Sequence, residues 1–299
     1  MSKILISGLV NTETTAKVRQ FPIPYYPIDY PFFGVSTAVS GVAYNIALAM
    51  NTLGDDVQLC SMTGNDFPAE YINSELTAAG ISTGHIRRKL SQTPNSVVLY
   101  DETGRRQIYC DLKDIQESNY GFDADICADA DIVVACNINF NRELLEAARR
   151  AGKTIATDVH VLSNVWDDYN RDFLEAADIV FLSDEGIGDD YGSFFWQLKD
   201  AYQPKILVLG RGSKGAAIYI RDEDRFEELP AVQVGHVVNT VGAGDALFSA
   251  FVHYYAKGLH PLECLKRAQV FASAKIRVSG ASRGFVCEQE IERLMNSLT

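Results

Sequence analysis

VNTVGAGDALFSAF, residues 238–251, passes from an extended segment through two glycines to an aspartate and then an apolar helix. Gly242 and Gly244 have no Cβ, so the backbone can turn tightly there and approach a ligand closely. The first N–H groups of a helix point outward, and the helix dipole adds partial positive charge to them. The segment therefore predicts an anion hole at the start of this helix. Asp245 stands at its rim.

A carboxylate beside a bound terminal phosphate has a defined chemical use. Asp245 would accept the proton of an attacking hydroxyl while the amides hold the phosphoryl oxygens, and phosphoryl transfer needs both functions. The alternative is an aspartate that caps a helix, which is common. The GxGD pattern alone favours the cap. The apolar helix that follows would pack into the core and hold its amino end rigidly, which favours catalysis.

The composition of the chain is that of a globular protein with a sizeable core, since 47% of its 299 residues are hydrophobic and 22% are charged. A net charge of −12 argues against nucleic acid and anionic membranes as partners. The six cysteines show neither CxxC nor zinc spacing, and no apolar run reaches about 18 residues. We therefore expect a soluble, cytoplasmic protein. The five histidines form no metal-ligand pattern and are expected to be structural or solvated.

Short, continuous apolar runs predict strands that are covered on both faces. They lie at residues 4–6, 57–60, 132–135, 154–157, 179–182 and 206–209. Helical patterns at residues 42–53 and 142–151 alternate with them, so we expect an α/β fold with a mostly parallel sheet. Ligands of such sheets bind beyond the carboxyl ends of the strands. Asn137, just after the strand at residues 132–135, is therefore a candidate substrate ligand.

Two segments break the α/β alternation. Residues 95–100 and 105–110 predict a hairpin, which is either an edge decoration or a lid over a site. A hairpin at an edge also allows pairing across a two-fold axis, so we expect a homodimer through this region. Residues 21–34 are rich in proline and aromatic residues. Their aromatic rings are expected to pack within this loop rather than to stack on a nucleobase.

A second chemical feature is SGVAYNIALAMNTLG, residues 40–54. Gly41 precedes a helix of small residues and lets its first turn approach a ligand. Asn45 lies in that turn near the apolar stripe, and a buried amide there needs a partner. That partner is either a sugar hydroxyl or a neighbouring helix, and the pattern favours neither.

Together, the two segments resemble the ribokinase-like (PfkB) family of sugar and nucleoside kinases. VNTVGAGDALFSAF is similar to the family pattern D-T-x-G-A-G-D, and SGVAYNIALAMNTLG is similar to G-G-x-x-x-N-x-A. Weaker similarities follow the family order at residues 8–13, 209–216 and 104–106, the last at the tip of the lid hairpin. The resemblance implies a three-layer α/β/α fold. It also implies one domain, residues 1–299, with a discontinuous β lid from about 9–38 and 91–115.

The same resemblance implies the roles of individual residues. Asp245 is the catalytic base, and the amides of Gly242, Ala243 and Gly244 form the anion hole. Gly41 and Asn45 contact substrate hydroxyls, with Glu13 at the position of the sugar-binding aspartate. The nucleotide is bordered by Arg211, Gly212, Ser213 and Gly215. The family further implies ATP, Mg²⁺, a hydroxymethyl acceptor on a sugar or nucleoside, and often a monovalent cation near the anion hole.

The sequence departs from the family pattern at several positions. Asn239 replaces the first aspartate of the C-terminal motif, Ser40 replaces a glycine, and Glu13 is one methylene longer than the expected aspartate. Ser183 and Gly186 occupy the places of an N-x-x-E motif that organises Mg²⁺. We expect Asp184 or Glu185 to substitute there.

These departures leave a second function class open. The leading hypothesis is an ATP-dependent sugar or nucleoside kinase, and the alternative is a binding or regulatory protein of the same fold with weakened catalysis. A dinucleotide-dependent oxidoreductase is disfavoured, because Gly8-Leu-Val-Asn follows the first strand in place of GxGxxG.

Overall fold

The computed structural model describes residues 1–103, 105–188 and 190–298. Its strands are β1 (Lys3–Ser7), β2 (Asn11–Lys17), β3 (Val35–Ser40), β4 (Asp56–Thr63), β5 (Ile86–Arg88), β6 (Asn95–Tyr100), β7 (Arg106–Asp111), β8 (Ile132–Ala135), β9 (Thr154–Val161), β10 (Ile179–Ser183), β11 (Ile206–Gly210), β12 (Ala216–Ile220) and β13 (Arg225–Leu229). Its helices are α1 (Val42–Leu53), α2 (Phe67–Ala78), α3 (Asn141–Arg150), α4 (Arg171–Ala176), α5 (Tyr191–Tyr202), α6 (Ala243–Ala256), α7 (Pro261–Lys275) and α8 (Glu288–Leu298). Within these residues, no helix combines the length and the apolar character needed to cross a membrane.

The large sheet confirms the predicted α/β fold. Among the described residues its strands follow the order β13-β12-β11-β10-β9-β8-β1-β4-β5. Pairing is parallel from β11 to β5, and β12 and β13 are antiparallel additions at one edge. All six predicted strands are present, and β8 begins and ends at the predicted residues.

The core is divided between the two faces of this sheet. Ile4 and Ile6 of β1 face one cluster of buried side chains, and Leu5 faces the other, because successive strand residues point to opposite sides. Helices α1, α2, α6, α7 and α8 supply the first cluster, and α3, α4 and α5 supply the second. The expected three-layer α/β/α arrangement is confirmed.

A second sheet forms the lid, which we define as strands β2, β3, β6 and β7 in the order β3-β2-β6-β7. Its two hairpins come from distant parts of the chain and meet where β2 pairs in parallel with β6. The loop between β2 and β3 is not packed as expected. Tyr25, Phe32 and Phe33 are exposed by 88%, 85% and 108%, respectively. Gly104, the predicted tip of the second hairpin, lies outside the described residues.

The helix α1 starts close to the end of β1. Gly41, its N-cap, has a φ of 105°, and a Cβ at this position would lie 2.5 Å from the carbonyl oxygen of Leu9. Only glycine combines this φ with such a close approach. The amide of Ala43 donates to the same carbonyl at 3.2 Å. The first turn of α1 is therefore fixed at the carboxyl edge of the sheet, where α6 also packs against it.

The packing of α6 on the sheet generates a stability prediction. Phe248 is fully buried, and its ring lies edge-on to Phe181 of β10 with centroids 5.2 Å apart. We expect Phe248→Ala to lower the free energy of unfolding by about 3–5 kcal/mol, as large cavities in cores do. Urea denaturation measures the change.

Phe67→Ala is the matched control, since Phe67 is 82% exposed. It should change the free energy of unfolding by no more than about 0.5 kcal/mol. Equal losses in the two variants would contradict the packing described for α6.

Candidate active site

The turn before α6 brings its first amides to the surface. Gly242, the N-cap, has a φ of 75°, and a Cβ there would lie 2.6 Å from the carbonyl oxygen of Ala281. The amide of Ala243 donates to the Thr240 carbonyl at 3.1 Å, so this predicted anion-hole donor is already bonded within the turn. Gly244 is exposed, and a Cβ built on it meets no atom within 4 Å. Open space therefore faces the start of α6.

Asn239, which replaces the first aspartate of the family motif, still accepts a backbone hydrogen bond with its side-chain oxygen. Its Oδ1 accepts a hydrogen bond from the amide of Val241 at 2.8 Å. The amides of Val238 and Asn239 both donate to the carbonyl of Ile276, at 2.9 and 3.1 Å. Residues 239–244, which we call the anion-hole loop, are thus tied to the C-terminal end of α7.

Asp245 lies directly against α1. Its side chain is buried, with the residue only 9% exposed, and its Oδ2 accepts a hydrogen bond of 2.7 Å from Asn45 Nδ2. The amide of Asn45 therefore has a helix–helix partner. Its Oδ1, however, is buried and has no partner among the residues that the structure describes. One half of this side chain remains available to a ligand.

Two further residues join Asp245 at the end of β9. Ligand atoms of Asp158, His160 and Asp245 all lie within 4.8 Å of one another. His160 has a φ of 59°, and its amide donates to Asp158 Oδ1 at 2.8 Å. His160 therefore belongs to a group of side chains that could hold a metal ion, although the sequence shows no metal-ligand pattern of histidines. The sequence signal was its position beyond a strand end, in the same segment as Asp158.

Burial controls the charges of this cluster. It raises the pKa of Asp245, while the neighbouring His160, the hydrogen bond from Asn45 and the charge of Lys275 act in the opposite direction. Lys275 of α7 is fully buried as well, and burial lowers its pKa to about 8, against the attraction of Asp245. Perturbed groups that converge in this way are typical of functional sites.

The lid contributes acceptors from its base. Glu13 Oε2 accepts a hydrogen bond of 3.3 Å from Ser40 Oγ, and burial raises the pKa of Glu13 against the influence of Ser40 and Arg106. Asn11, which the sequence reasoning missed, is 3% exposed and donates to Ser96 Oγ at 2.9 Å. Its Oδ1 is buried without a partner in the described part of the chain.

Other predicted site residues already have protein partners. Asn137 Nδ2 donates to Asn170 Oδ1 at 3.0 Å. Arg211 stacks on Tyr191, with its guanidinium carbon 4.0 Å from the ring centroid, and forms an ion pair of 3.1 Å with Glu228. These contacts hold Asn137 and Arg211 in place, and their ligand roles remain predictions.

The predicted nucleotide turn lies close to the start of α6. Gly212 and Ser213 form an exposed turn after β11, and Gly215 closes it by accepting a hydrogen bond from the amide of Arg211 at 2.8 Å. A Cβ on Gly210, the last residue of β11, would lie 3.8 Å from the side chain of Leu247. The turn and the anion-hole loop therefore share one edge of the sheet.

The predicted metal ligands follow β10. Asp184 is half-buried and Glu185 is exposed. Ser183 pairs with Val161, so both carboxylates stand next to the end of β9. Neither belongs to the cluster of Asp158, His160 and Asp245, and their metal role remains a prediction.

Two surface depressions lie away from these groups. One, of about 580 Å³, is lined by Glu288, Gln289, Glu292, Arg293 and Asn296 of α8. The other, of about 390 Å³, is at the opposite edge of the sheet and is lined by residues that include Lys153, Asp178 and Lys205. Neither contains the converging amides and carboxylates, so we place the functional site at Asp245.

Comparison with known proteins agrees with this geometry. The family described as pfkB family carbohydrate kinase matches residues 1–286. The chain belongs to this family. PfkB kinases phosphorylate hydroxyl groups of sugars and nucleosides, using ATP with Mg²⁺ as the usual partner. The resemblance drawn from VGAGD and the helix at Asn45 is therefore confirmed.

Individual relatives differ in substrate. An acarbose 7(IV)-phosphotransferase of Actinoplanes sp. is 24% identical over 91% of this chain and 90% of its own length. A nucleoside kinase of Methanocaldococcus jannaschii is 21% identical over 98% of this chain and 97% of its own. The solved structure of the microbiome-derived acarbose kinase Mak1 aligns with a TM-score of 0.86, at 24% identity and covering 99% of both chains. The fold is shared, and the relatives do not fix the substrate.

The buried carboxylate generates a prediction on stability and pH. Because the pKa of Asp245 is raised above its ordinary value of 3.8, the folded state binds this proton more tightly than the unfolded state. Its contribution to stability is therefore lost as pH rises from 3.8 through the folded pKa. We expect Asp245→Asn to be more stable than the wild type at neutral pH, with the difference shrinking toward pH 3.8.

Denaturation across this pH range measures the difference. Asp190→Asn is the control of opposite sign, because the hydrogen bonds from Ser193 lower the pKa of Asp190. If the wild type is more stable than Asp245→Asn at neutral pH, burial of the Asp245 carboxylate does not destabilise the folded state.

Proposed function

We propose that this protein is an ATP-dependent kinase that transfers the γ-phosphate to a hydroxymethyl group of a small sugar or nucleoside. One observation carries the proposal. A buried carboxylate, Asp245, stands at the N-terminus of α6, next to open space at Gly244 and in hydrogen-bond contact with Asn45 of α1. A base, an anion-binding helix end and a polar substrate-side residue therefore meet at one edge of the sheet.

The chemistry follows from this placement. The acceptor hydroxyl gives its proton to Asp245 while the hydroxyl oxygen attacks the γ-phosphorus of ATP. The bond between the γ-phosphorus and the bridging oxygen of ADP breaks on the opposite side, and ADP leaves. The Asn45 amide holds the carboxylate toward the site and so limits its rotation. The amides of Gly242 and Gly244, unlike that of Ala243, are not bonded within the turn to Thr240, and they would hold the phosphoryl oxygens as charge develops on them. Closure of the lid excludes water, which would otherwise accept the phosphate.

The residues at the ends of β9 and β10 fit a hard divalent cation. Mg²⁺ prefers oxygen ligands and is usually bound by one or two carboxylates together with substrate phosphates. Asp158 and Asp184 supply such carboxylates at neighbouring strand ends, with Glu185 beside them. When bound, the ion would neutralise charge on the β- and γ-phosphates. The exposed turn at Gly212 and Ser213 is the proposed border of the nucleotide.

A polyhydroxy acceptor suits the unpaired groups on the substrate side. Asn45 Oδ1 and Asn11 Oδ1 are buried acceptors that lack donors in the described chain, and Glu13 adds a carboxylate at the base of the lid. Sugar hydroxyls are the donors that such groups need. Gly41 has no side chain, so the first turn of α1 can lie close to the substrate. Asn137 is a further proposed contact of the substrate. A sugar and a nucleoside both carry these hydroxyls.

The central prediction concerns turnover. Asp245→Asn should lower kcat by about 10²–10⁴-fold, the usual range for a lost general base. ADP release across a panel of sugars and nucleosides measures turnover. Asp129→Asn is the control, because Asp129 is exposed and precedes β8 at the opposite edge of the sheet. Turnover of the Asp245→Asn variant near that of the wild type would refute the assignment of the base.

The same panel of sugars and nucleosides distinguishes the kinase from the alternative, a binding or regulatory protein of the same fold. Tight sugar or nucleoside binding by the wild type without ADP release would favour a regulatory protein that kept the fold and weakened catalysis. The changes at Glu13, Asn239, Ser183 and Gly186 motivate this alternative. The hydrogen bond between Asn45 and Asp245 favours the kinase, because a binding protein does not need a buried carboxyl group held at a helix start that faces open space.

We also propose a cytoplasmic homodimer that forms through the lid. Strand β7 is exposed along its whole length, and Ile108 and Tyr109 are each exposed by 53%. The aromatic loop next to the lid adds Tyr25, Phe32 and Phe33. Apolar exposure on this scale is typical of an interface. A second copy of the chain fits best, since both edges of a small sheet can pair across a two-fold axis.

Sedimentation analysis tests the dimer. The wild type should sediment as a dimer, and Ile108→Glu should shift it to a monomer because a charge would be buried at the interface. Trp166→Glu is the control, because Trp166 is also exposed, by 62%, but follows β9 outside the lid. A wild type that sediments as a monomer at all concentrations would exclude this interface.

A further inference from the structure

Lys275 is a buried cation that the proposed mechanism does not yet use. It is the last residue of α7 and is 0% exposed. Within the described residues it forms no ion pair with a carboxylate inside 4 Å, although fully buried lysines are normally paired. Its Nζ donates instead to the backbone carbonyl of Val241. A charge held in this way costs stability, so a packing role alone does not account for it.

The position of the ammonium is directly behind the anion hole. Val241 is the residue before Gly242, so the bond from Lys275 acts on the turn that presents the first amides of α6. Asp245 is the charged group whose field reaches Lys275, and it favours the ammonium form. The C-terminal end of α7 adds partial negative charge, which also favours a cation there. Lys275 therefore stands between a helix end, a catalytic carboxylate and the loop that receives phosphate.

We propose that Lys275 is a positioning residue whose ammonium serves as a built-in cation for the anion hole. It fixes the Val241 carbonyl and offsets the charge of Asp245 and of the incoming phosphate. Phosphate transfer therefore needs no added monovalent cation. Asn239 agrees with this inference, because it lacks the charge that would help to hold a mobile cation in the same loop. The inference rests on the proposed kinase function.

Lys275→Met separates this role from packing. Replacing a buried charge by an apolar side chain of similar length is often neutral or stabilising. A purely structural lysine would thus give a variant with normal or higher stability and normal kinetics. The proposed role requires a stable variant with a large loss of kcat and little change in the KM of the acceptor.

The experiment compares kcat in potassium-free buffer, with tetramethylammonium as the only monovalent cation, and in the same buffer with KCl. Wild-type kcat should be equal in both. Lys275→Met should lose roughly 10²–10³-fold in kcat, the range for one lost anion-hole interaction. Added potassium or methylammonium should restore part of that loss. Lys266→Met, on the exposed side of the same helix, should match the wild type in both buffers.

Three results would overturn the inference. They are a wild type that requires potassium, a Lys275→Met variant with wild-type kcat, and a folded Lys275→Met variant that no cation rescues. If Lys275→Met does not fold, Lys275→Arg and the wild type test the inference instead. Both keep a positive charge at residue 275, so the kcat of each should be independent of potassium.

A separate readout distinguishes failure of the kinase proposal. If the wild type phosphorylates nothing in the panel, calorimetric binding of the ATP analogue adenylyl imidodiphosphate replaces kcat. Weaker binding by Lys275→Met that potassium restores would then support the built-in cation while the kinase function fails. Equal binding by both proteins would overturn the built-in cation as well.

Discussion

The hydrogen bond of 2.7 Å between Asn45 Nδ2 and Asp245 Oδ2 is the constraint on which the site depends. It joins two helices that are 200 residues apart in sequence. Each helix starts at a glycine that is pressed against neighbouring backbone: Gly41 against Leu9, and Gly242 against Ala281. Because both starts are fixed, one short bond sets the separation between the substrate side and the phosphate side. The buried carboxylate is destabilising by itself, and the two apolar layers of the sheet supply the rigidity that tolerates it.

Most of the fold was predictable because its central strands are buried on both faces. A continuous apolar run such as residues 132–135 has few alternatives to a central strand, and β8 matches it fully. Such runs do not indicate whether a strand is parallel or antiparallel to its neighbours, or whether it lies at an edge of the sheet. The antiparallel strands β12 and β13 depend on the tight turn after β11, and β2 is a threonine-rich strand, NTETTAK, without an apolar pattern. Exposure of the loop at residues 21–34 was also missed, because proline and aromatic content do not state what covers a side chain.

The site was predictable where glycine and polar residues lie at helix starts. Asp245 and Asn45 were each placed correctly at a helix N-terminus, but their direct bond depends on how α1 packs on α6. Asp158 and His160 meet Asp245 only through the order of strands in the sheet, and His160 carries no motif of its own. Lys275 sits at the end of a helix, where a lysine is ordinary. Its burial is a tertiary property, set by the return of the chain after α7 over the anion-hole loop.

The lid is assembled from two hairpins that leave and re-enter the body at separate points, and β2 pairs with β6 in the middle. Four chain crossings therefore join it to the large sheet, in contrast to the two that join a simple flap. Because all four strands are hydrogen-bonded into one sheet, any movement of the lid would carry them together, and with them the acceptors Asn11 and Glu13 on β2.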